Sequence, residues 1–327
     1  MKYFNFKIIF NIFILILLIV SIRLMMMVNH ESNDNELFIQ RNNKQQRIKY
    51  NINCQSLIEM NTNEINKAQT ILNLNDNIEV IDDKNYIFDS SMCQNYKKTR
   101  GYDKLLTISE QIEIDYPISY AILTYQHAEQ IDRLLRLIWR PQNHYCFHID
   151  SKSTDSFKQA IKSISNCFDN VFITNKSENI YWGSFSILQA ELNCMQDLLN
   201  ENKKWNYLIH MSGNEFPLKT NYELVKILNM YNGTNEIKIS NLKMDEYRYK
   251  YKFDDLKLME SRYINLKKLK LKQPPPLNYS IMKGYTNAIL SREFTEYVLT
   301  NQNVQTLIKW SKDMLIPDEM LLPMRLE

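Results

Sequence analysis

Glycine is scarce in this sequence: the 327-residue chain carries five, Gly101, Gly183, Gly213, Gly233 and Gly284. No two lie close enough to form a G-x-G-x-x-G turn or a Walker-type loop, so any phosphate must be held by something other than a glycine-rich cradle. An excess of charge of one sign is missing too. With 40 Lys and Arg against 37 Asp and Glu, the net +3 offers no general attraction for nucleic acid or an anionic membrane surface, and nucleic acid drops out of the expected partners. The five cysteines, Cys54, Cys93, Cys146, Cys167 and Cys194, include no C-x-x-C pair. Zinc spacing is therefore absent, and in an oxidising compartment the cysteines read as disulfides with one left over.

Long apolar runs are confined to the N-terminus. From Ile8 to Val28 the residues are apolar except Asn11, Ser21 and Arg23, close to the ~20 residues that span a hydrocarbon core. Arg23 is near enough to the end to snorkel. A signal peptide is the alternative, but the run is long for one and no A-x-A-like site follows it. The expected arrangement is a cytosolic tail (1–7), a signal-anchor helix (8–28) and everything after it lumenal, because Lys2 and Lys7 precede the run. The sequons at Asn175, Asn232 and Asn278 agree with a lumenal address, although an Asn-rich chain supplies some by chance.

Residues 29–115 are polar and weakly periodic and read as a stem. The texture changes at Tyr116. PISYAILTY, HYCFHID, VFIT and WNYLIHM have strand character, and they alternate with HAEQIDRLLRLIW, STDSFKQAIKSI, SFSILQAELNCMQDLL and NYELVKILNMY, which have helical spacing. Such alternation predicts an α/β domain over 116–327 with a mainly parallel sheet and flanking helices. Ligands bind beyond the carboxyl ends of such strands. Those ends carry Leu123, Thr124 and Tyr125, then Asp150, Ser151 and Lys152, then His210 to Glu215. An Asp directly after a strand is equally a helix cap and a ligand contact. His144 and His148 share a strand face without a third metal ligand, while His127 and His210 stand alone and read as structural. Further on, Gly284 to Leu299 reads as a strand feeding a helix that starts near Ser291 or Arg292. Pro317-Asp318-Glu319 reads as the first turn of a helix carrying a carboxylate pair, in which the helix dipole alone would favour Asp318.

Four patterns stand outside anything alternation would create: PQNxYCxHxD, WGSxSxLxAxLxC, SGNEFPLKTNxE and PDE. In this order, from about Cys93 onward, they resemble the core-2/I-branching β-1,6-N-acetylglucosaminyltransferase family (glycosyltransferase family 14). The resemblance implies a glycosyltransferase-A-like (Rossmann-like) fold in a type II Golgi membrane protein. Its implied activity is inverting, metal-independent transfer of GlcNAc from UDP-GlcNAc to a glycoprotein O-glycan, with no cofactor. By position it implies donor binding at Leu123, Thr124, Tyr125, Asp150, Ser151, Lys152 and Trp182. It implies a catalytic base at Glu319, acceptor contacts at Arg248 and Glu319, and disulfides Cys93–Cys167 and Cys146–Cys194.

The chain also departs from the family pattern. The basic residues that neutralise leaving UDP, and the partner of Cys54, lie in the family beyond the position of Glu327. The domain is therefore expected to be C-terminally incomplete and inactive alone, with Cys54 available for a disulfide-linked dimer. Lys238 stands where core-2 members bind the acceptor with a Glu. Two other readings follow: a non-catalytic truncated relative that binds glycan or a partner transferase, and a xylosyltransferase-like enzyme.

Overall fold

The computed structural model describes residues 52–74, 81–106, 109–201, 203–240, 246–253, 270–323 and 325–326. The expected tail and anchor, 1–28, lie outside the described residues, as does the first part of the stem. Among the described residues, no helix is long and apolar enough to cross a membrane.

Two compact units are present. In the smaller, α1 (Cys54–Ile58) and α2 (Thr62–Leu74) form a helical pair. Asn53 caps α1 by accepting the Ser56 N–H at 3.1 Å, and its own N–H donates to Glu64 at 2.7 Å. Leu57 and Ala68 are buried, with Ile52 and Ile65 packed against them.

The larger unit begins at Ile81, earlier than the expected boundary at Tyr116. Short 3-10 turns at Asp83–Tyr86, Ser90–Met92 and Asp103–Leu106, with α3 (Cys93–Arg100) and α4 (Gln111–Asp115), occupy part of the segment read as stem. Their sparse apolar residues, Tyr86, Tyr102 and Leu105, are buried in the main core. Tyr102 sits edge-on to Trp139 and against Phe168. A few large aromatics anchor a polar stretch that has no periodic stripe.

The rest alternates as the sequence predicts: β1 (Ile118–Thr124), α5 (Ala128–Ile138), β2 (His144–Ile149), α6 (Asp155–Ser165), β3 (Val171–Ile173), α7 (Phe185–Asn200), β4 (Tyr207–Ser212) and α8 (Asn221–Tyr231). Then come β5 (Glu236–Ile239), α9 (Tyr247–Lys250), β6 (Tyr279–Ser280), β7 (Gly284–Ser291), α10 (Arg292–Thr300), α11 (Gln302–Ser311) and β8 (Arg325–Leu326). Helix starts carry their own signals. Thr154 caps α6, Thr220 and Glu223 form a capping box on α8, and Ser291 Oγ accepts the Phe294 N–H at 3.2 Å to open α10.

The main sheet has the order β3-β2-β1-β4-β7-β5. β1, β2, β3 and β4 pair in parallel, while β7 runs antiparallel to both β4 and β5. Strand alternation sorts the two faces. Ile118, Tyr120 and Ile122 of β1 join the core that α5 and α6 cover, while Ala121 joins the one that α7 covers. The result is a sheet buried on both sides, consistent with a glycosyltransferase-A-like architecture.

Cys93 is bonded to Cys167, and Cys146 on β2 to Cys194 on α7. The first bridge closes a separation of 74 residues. Replacing Cys93 and Cys167 by Ser should lower unfolding stability by about 4 kcal/mol through the unfolded state. Urea denaturation would measure it, and a loss below about 1 kcal/mol would contradict this role.

Candidate functional site

Each parallel strand hands its last residues to the same rim. Extra backbone bonds carry the pairing beyond the strands: Asp150 N–H donates to Thr124 O at 3.0 Å, Gly213 N–H to Leu123 O at 2.7 Å and Ser151 N–H to Glu178 O at 2.9 Å. A cleft of about 320 Å³ opens there. It is lined by Leu123, Thr124, Tyr125, His148, Asp150 and Trp182, with Gln126, Ile180, Ile187 and Ser212 to Asn214 completing the wall. This size suits a small ligand. Trp182 is 73% exposed and Tyr125 half-exposed, so two aromatic faces are open to a planar group.

Asp150 is held in one orientation. Its Oδ1 accepts the Lys152 N–H at 2.9 Å and the Ile180 N–H at 3.4 Å, and its Oδ2 lies 3.9 Å from Lys152 Nζ. Lys152 does not line the cleft. Its ammonium donates to Ile180 O and sits 4.2 Å from the centre of the Tyr181 ring, bracing the loop that carries Trp182. Ser151 also lies behind the wall, its carbonyl accepting from Lys158 Nζ at 2.7 Å.

Gly213 directly follows β4 and packs against Thr124 of β1 and Ile131 of α5. A Cβ there would lie 2.5 Å from Ile131 Cδ1 and 2.8 Å from Thr124 Oγ1, so any larger residue forces these two side chains to shift.

The Pro317–Glu319 segment is a single 3-10 turn, not the start of the expected helix. Pro323 disfavours helical geometry at Leu322 and lacks an N–H, which is one reason no helix grows. Ile316 enters the turn with φ 56, a left-handed conformation that β-branched residues rarely adopt. It is held by its N–H donating to Gly183 O at 2.7 Å, and Gly183 follows Trp182 of the cleft. Arg248 secures the other side. Its guanidinium donates to Leu315 O at 3.4 Å, Ile316 O at 3.2 Å and Glu319 Oε2 at 2.9 Å.

The two carboxylates of this turn therefore differ. The Glu319 side chain is 26% exposed and ion-paired, so a ligand can reach it. Asp318 is 3% exposed, and burial pushes its carboxyl up to about 6. A helix dipole, the expected stabiliser of Asp318, has no helix here to act through.

Lys238 on β5 is exposed, its ammonium 4.5 Å from the centre of the Tyr285 ring. Gly284 brings this edge near Glu319, since a Cβ on it would lie 2.9 Å from Lys238 O and 3.3 Å from Glu319 O. Asn175 and Asn232 are exposed, and Asn278 lies in a turn. His144 and His148 do not form a ligand set, and among the described residues no three His, Cys, Asp or Glu side chains are placed to hold a metal. His148 lines the cleft and its Nε2 accepts the Glu178 N–H at 2.9 Å, while burial lowers its pKa. Its place on the last inward position of β2 was the signal in the sequence for that role.

An α/β fold with a cleft at the strand ends and a reachable carboxylate beside it defines a class of ligand-binding, acid–base-competent domains. The comparisons narrow the class. Residues 118–327 match the model of the Core-2/I-Branching enzyme family, and the chain belongs to that family. It is 35% identical over 271 residues to a zebrafish (Danio rerio) β-1,3-galactosyl-O-glycosyl-glycoprotein β-1,6-N-acetylglucosaminyltransferase 4, covering 82% of this chain and 62% of the relative. The human type 3 protein of the same name is 36% identical over 280 residues, covering 84% and 61%. A bovine herpesvirus 4 (strain LVR140) protein with that transferase name is 36% identical over 282 residues, with 84% and 61% covered. The chain thus spans less than two thirds of the length of these curated relatives.

Gly213→Ala should push the Ile131 and Thr124 side chains aside, destabilise the domain by about 1–3 kcal/mol and weaken ligand binding in the cleft. Thermal unfolding with and without UDP would show both effects, and an unshifted variant that still binds would contradict the packing.

Proposed function

We propose that the protein is an inverting β-1,6-N-acetylglucosaminyltransferase that moves GlcNAc from UDP-GlcNAc to the 6-hydroxyl of an O-glycan, without a metal ion. The observation that carries this reading is the reachable Glu319 carboxylate, ion-paired to Arg248 and tied through Ile316 to the Gly183–Trp182 wall of the cleft. The names of the relatives support GlcNAc over xylose as the sugar.

On this reading the cleft takes the nucleotide. Tyr125 and Trp182 offer aromatic faces to the uracil, and Asp150, fixed by the Lys152 and Ile180 N–H groups, accepts from a donor hydroxyl or N–H. Arg248 occupies Glu319 Oε2, which leaves Oε1 to accept from the sugar hydroxyl. As the acceptor's hydroxyl oxygen bonds to C1 of GlcNAc, its proton passes to Glu319, the C1–O bond to UDP breaks on the opposite face, and the α-linked donor gives a β product. Two carboxylates are adjacent in sequence, yet only Glu319 is open to an acceptor. We further place the domain in the Golgi lumen behind a membrane anchor at residues 8–28, a reading that rests on the apolar run and on the sequons.

At natural length the protein should transfer GlcNAc from UDP-GlcNAc to a core-1 O-glycan acceptor in the presence of EDTA. Glu319→Gln should lower kcat by about a hundred- to ten-thousand-fold while leaving UDP-GlcNAc affinity in place. Calorimetry and product analysis check the two halves. Unchanged turnover removes Glu319 as base, and transfer that requires an added divalent cation removes metal independence.

A further inference from the structure

Beneath Glu319 lies a set of buried ionisable groups that the transfer step does not use. Asp318 is 3% exposed, Glu191 on α7 is 5% and His210 on β4 is 4%. His210 shares its sheet face with Leu208 and stands opposite the small Ala121 of β1, which leaves room for the imidazole. Its Nδ1 lies 3.7 Å from Glu191 Oε2, beyond hydrogen-bond length. Both imidazole nitrogens and Asp318 Oδ1 are buried without a hydrogen-bond partner.

Charge counting makes this arrangement informative. Among the described residues, Arg248 is the cation acting on Asp318, and it is already paired with Glu319. β7, which also packs on this turn, carries Tyr285 as its one ionisable side chain, on the exposed side. Glu191 faces the turn from α7, and His210 faces Glu191. Three carboxylates cannot all be charged around one buried guanidinium without a large desolvation cost.

We propose that Asp318, Glu191 and His210 form a buried proton-holding cluster, and that Asp318 is a positioning residue for the reaction. Protonated, it leaves the Arg248 guanidinium to Glu319. Ionised, it competes for that guanidinium and pulls the base out of register. The direction of each shift agrees: burial raises Glu191 well above the ordinary carboxylate range and Asp318 to about 6, and it lowers His210 to about 4, so the imidazole stays neutral. The positioning role rests on the reading of Glu319 as base, whereas the proton-holding role does not.

The linkage has a definite sign. A carboxyl raised from 3.8 to about 6 on folding contributes stability that is complete below pH 3.8 and lost as pH rises through 6. The folding constant of the chain should therefore fall by about a hundredfold between pH 4 and pH 7 from this group.

The test uses Asp318→Asn, which mimics the protonated form, with Glu191→Gln as a second neutral isostere should the first fail to fold. Because the buried, neutral His210 contributes the opposite slope, the readout is the ratio of wild-type to Asp318→Asn folding constants, which should fall by about a hundredfold in urea denaturation across pH 4 to 7.5. In the protein at natural length, kcat/KM of wild type should decline as pH rises through 6, and Asp318→Asn should remove that decline. Identical stability profiles for wild type and variants would overturn the proton-holding cluster. A falling ratio with an unaltered kcat/KM profile would overturn the positioning role alone. Should Glu319→Gln retain turnover, the base reading fails while the stability profile still tests the cluster.

Discussion

The candidate site depends on one buried guanidinium. Arg248 is 5% exposed, and a charge so placed persists only with acceptors around it. It finds two carbonyls and a carboxylate, all within the five residues from Leu315 to Glu319, and the Leu315 N–H returns a bond to Arg248 O at 2.9 Å. This clamp holds Ile316 in a left-handed conformation that its side chain disfavours, and the Arg248 ion pair orients Glu319. Removing Arg248 would leave two carbonyls and a half-buried carboxylate without their common partner.

The sheet supplies the frame for this clamp. Its parallel strands end at one rim, so Tyr125, Asp150 and Trp182 gather around a cleft although they are scattered along the chain. Antiparallel β7 then brings Gly284 back to the same rim, and the Glu319 turn packs close to it. The bond from Ile316 to Gly183 joins cleft and carboxylate directly. A nucleotide on one side and an acceptor on the other would thus meet a shared piece of backbone. Disulfide Cys146–Cys194 fastens β2 to α7, whose N-terminus follows that backbone and which also carries Glu191.

Much of this was legible in the sequence because period and capping speak locally. The runs that form β1, β2 and β4 are predominantly apolar, and Thr154, Thr220 and Ser291 mark helix starts by their own hydrogen bonds. What depends on distant partners was hidden. Tyr86, Tyr102 and Leu105 sit in a polar stretch without periodicity, and only partners distant in sequence, such as Trp139 and Phe168 around Tyr102, show why they are core. Pro317-Asp318-Glu319 has the composition of a helix start, yet Pro323 and the Arg248 clamp leave a single turn. The two adjacent acids look equivalent as letters, and burial together with the Arg248 ion pair separates them. His210 reads as structural because a single histidine on a strand carries no pattern of its own, and His148 reads with His144 as a strand-face pair that lacks a third metal ligand.

The central claim is that the cleft and the Glu319 turn are two halves of one transfer site. The most direct measurement is the structure of the protein bound to UDP-GlcNAc. The account predicts uracil between Tyr125 and Trp182, with C1 of GlcNAc presenting the face opposite the diphosphate to Glu319 and a hydroxyl-sized gap between them. A nucleotide bound outside the cleft, or a sugar directed away from Glu319, would contradict it.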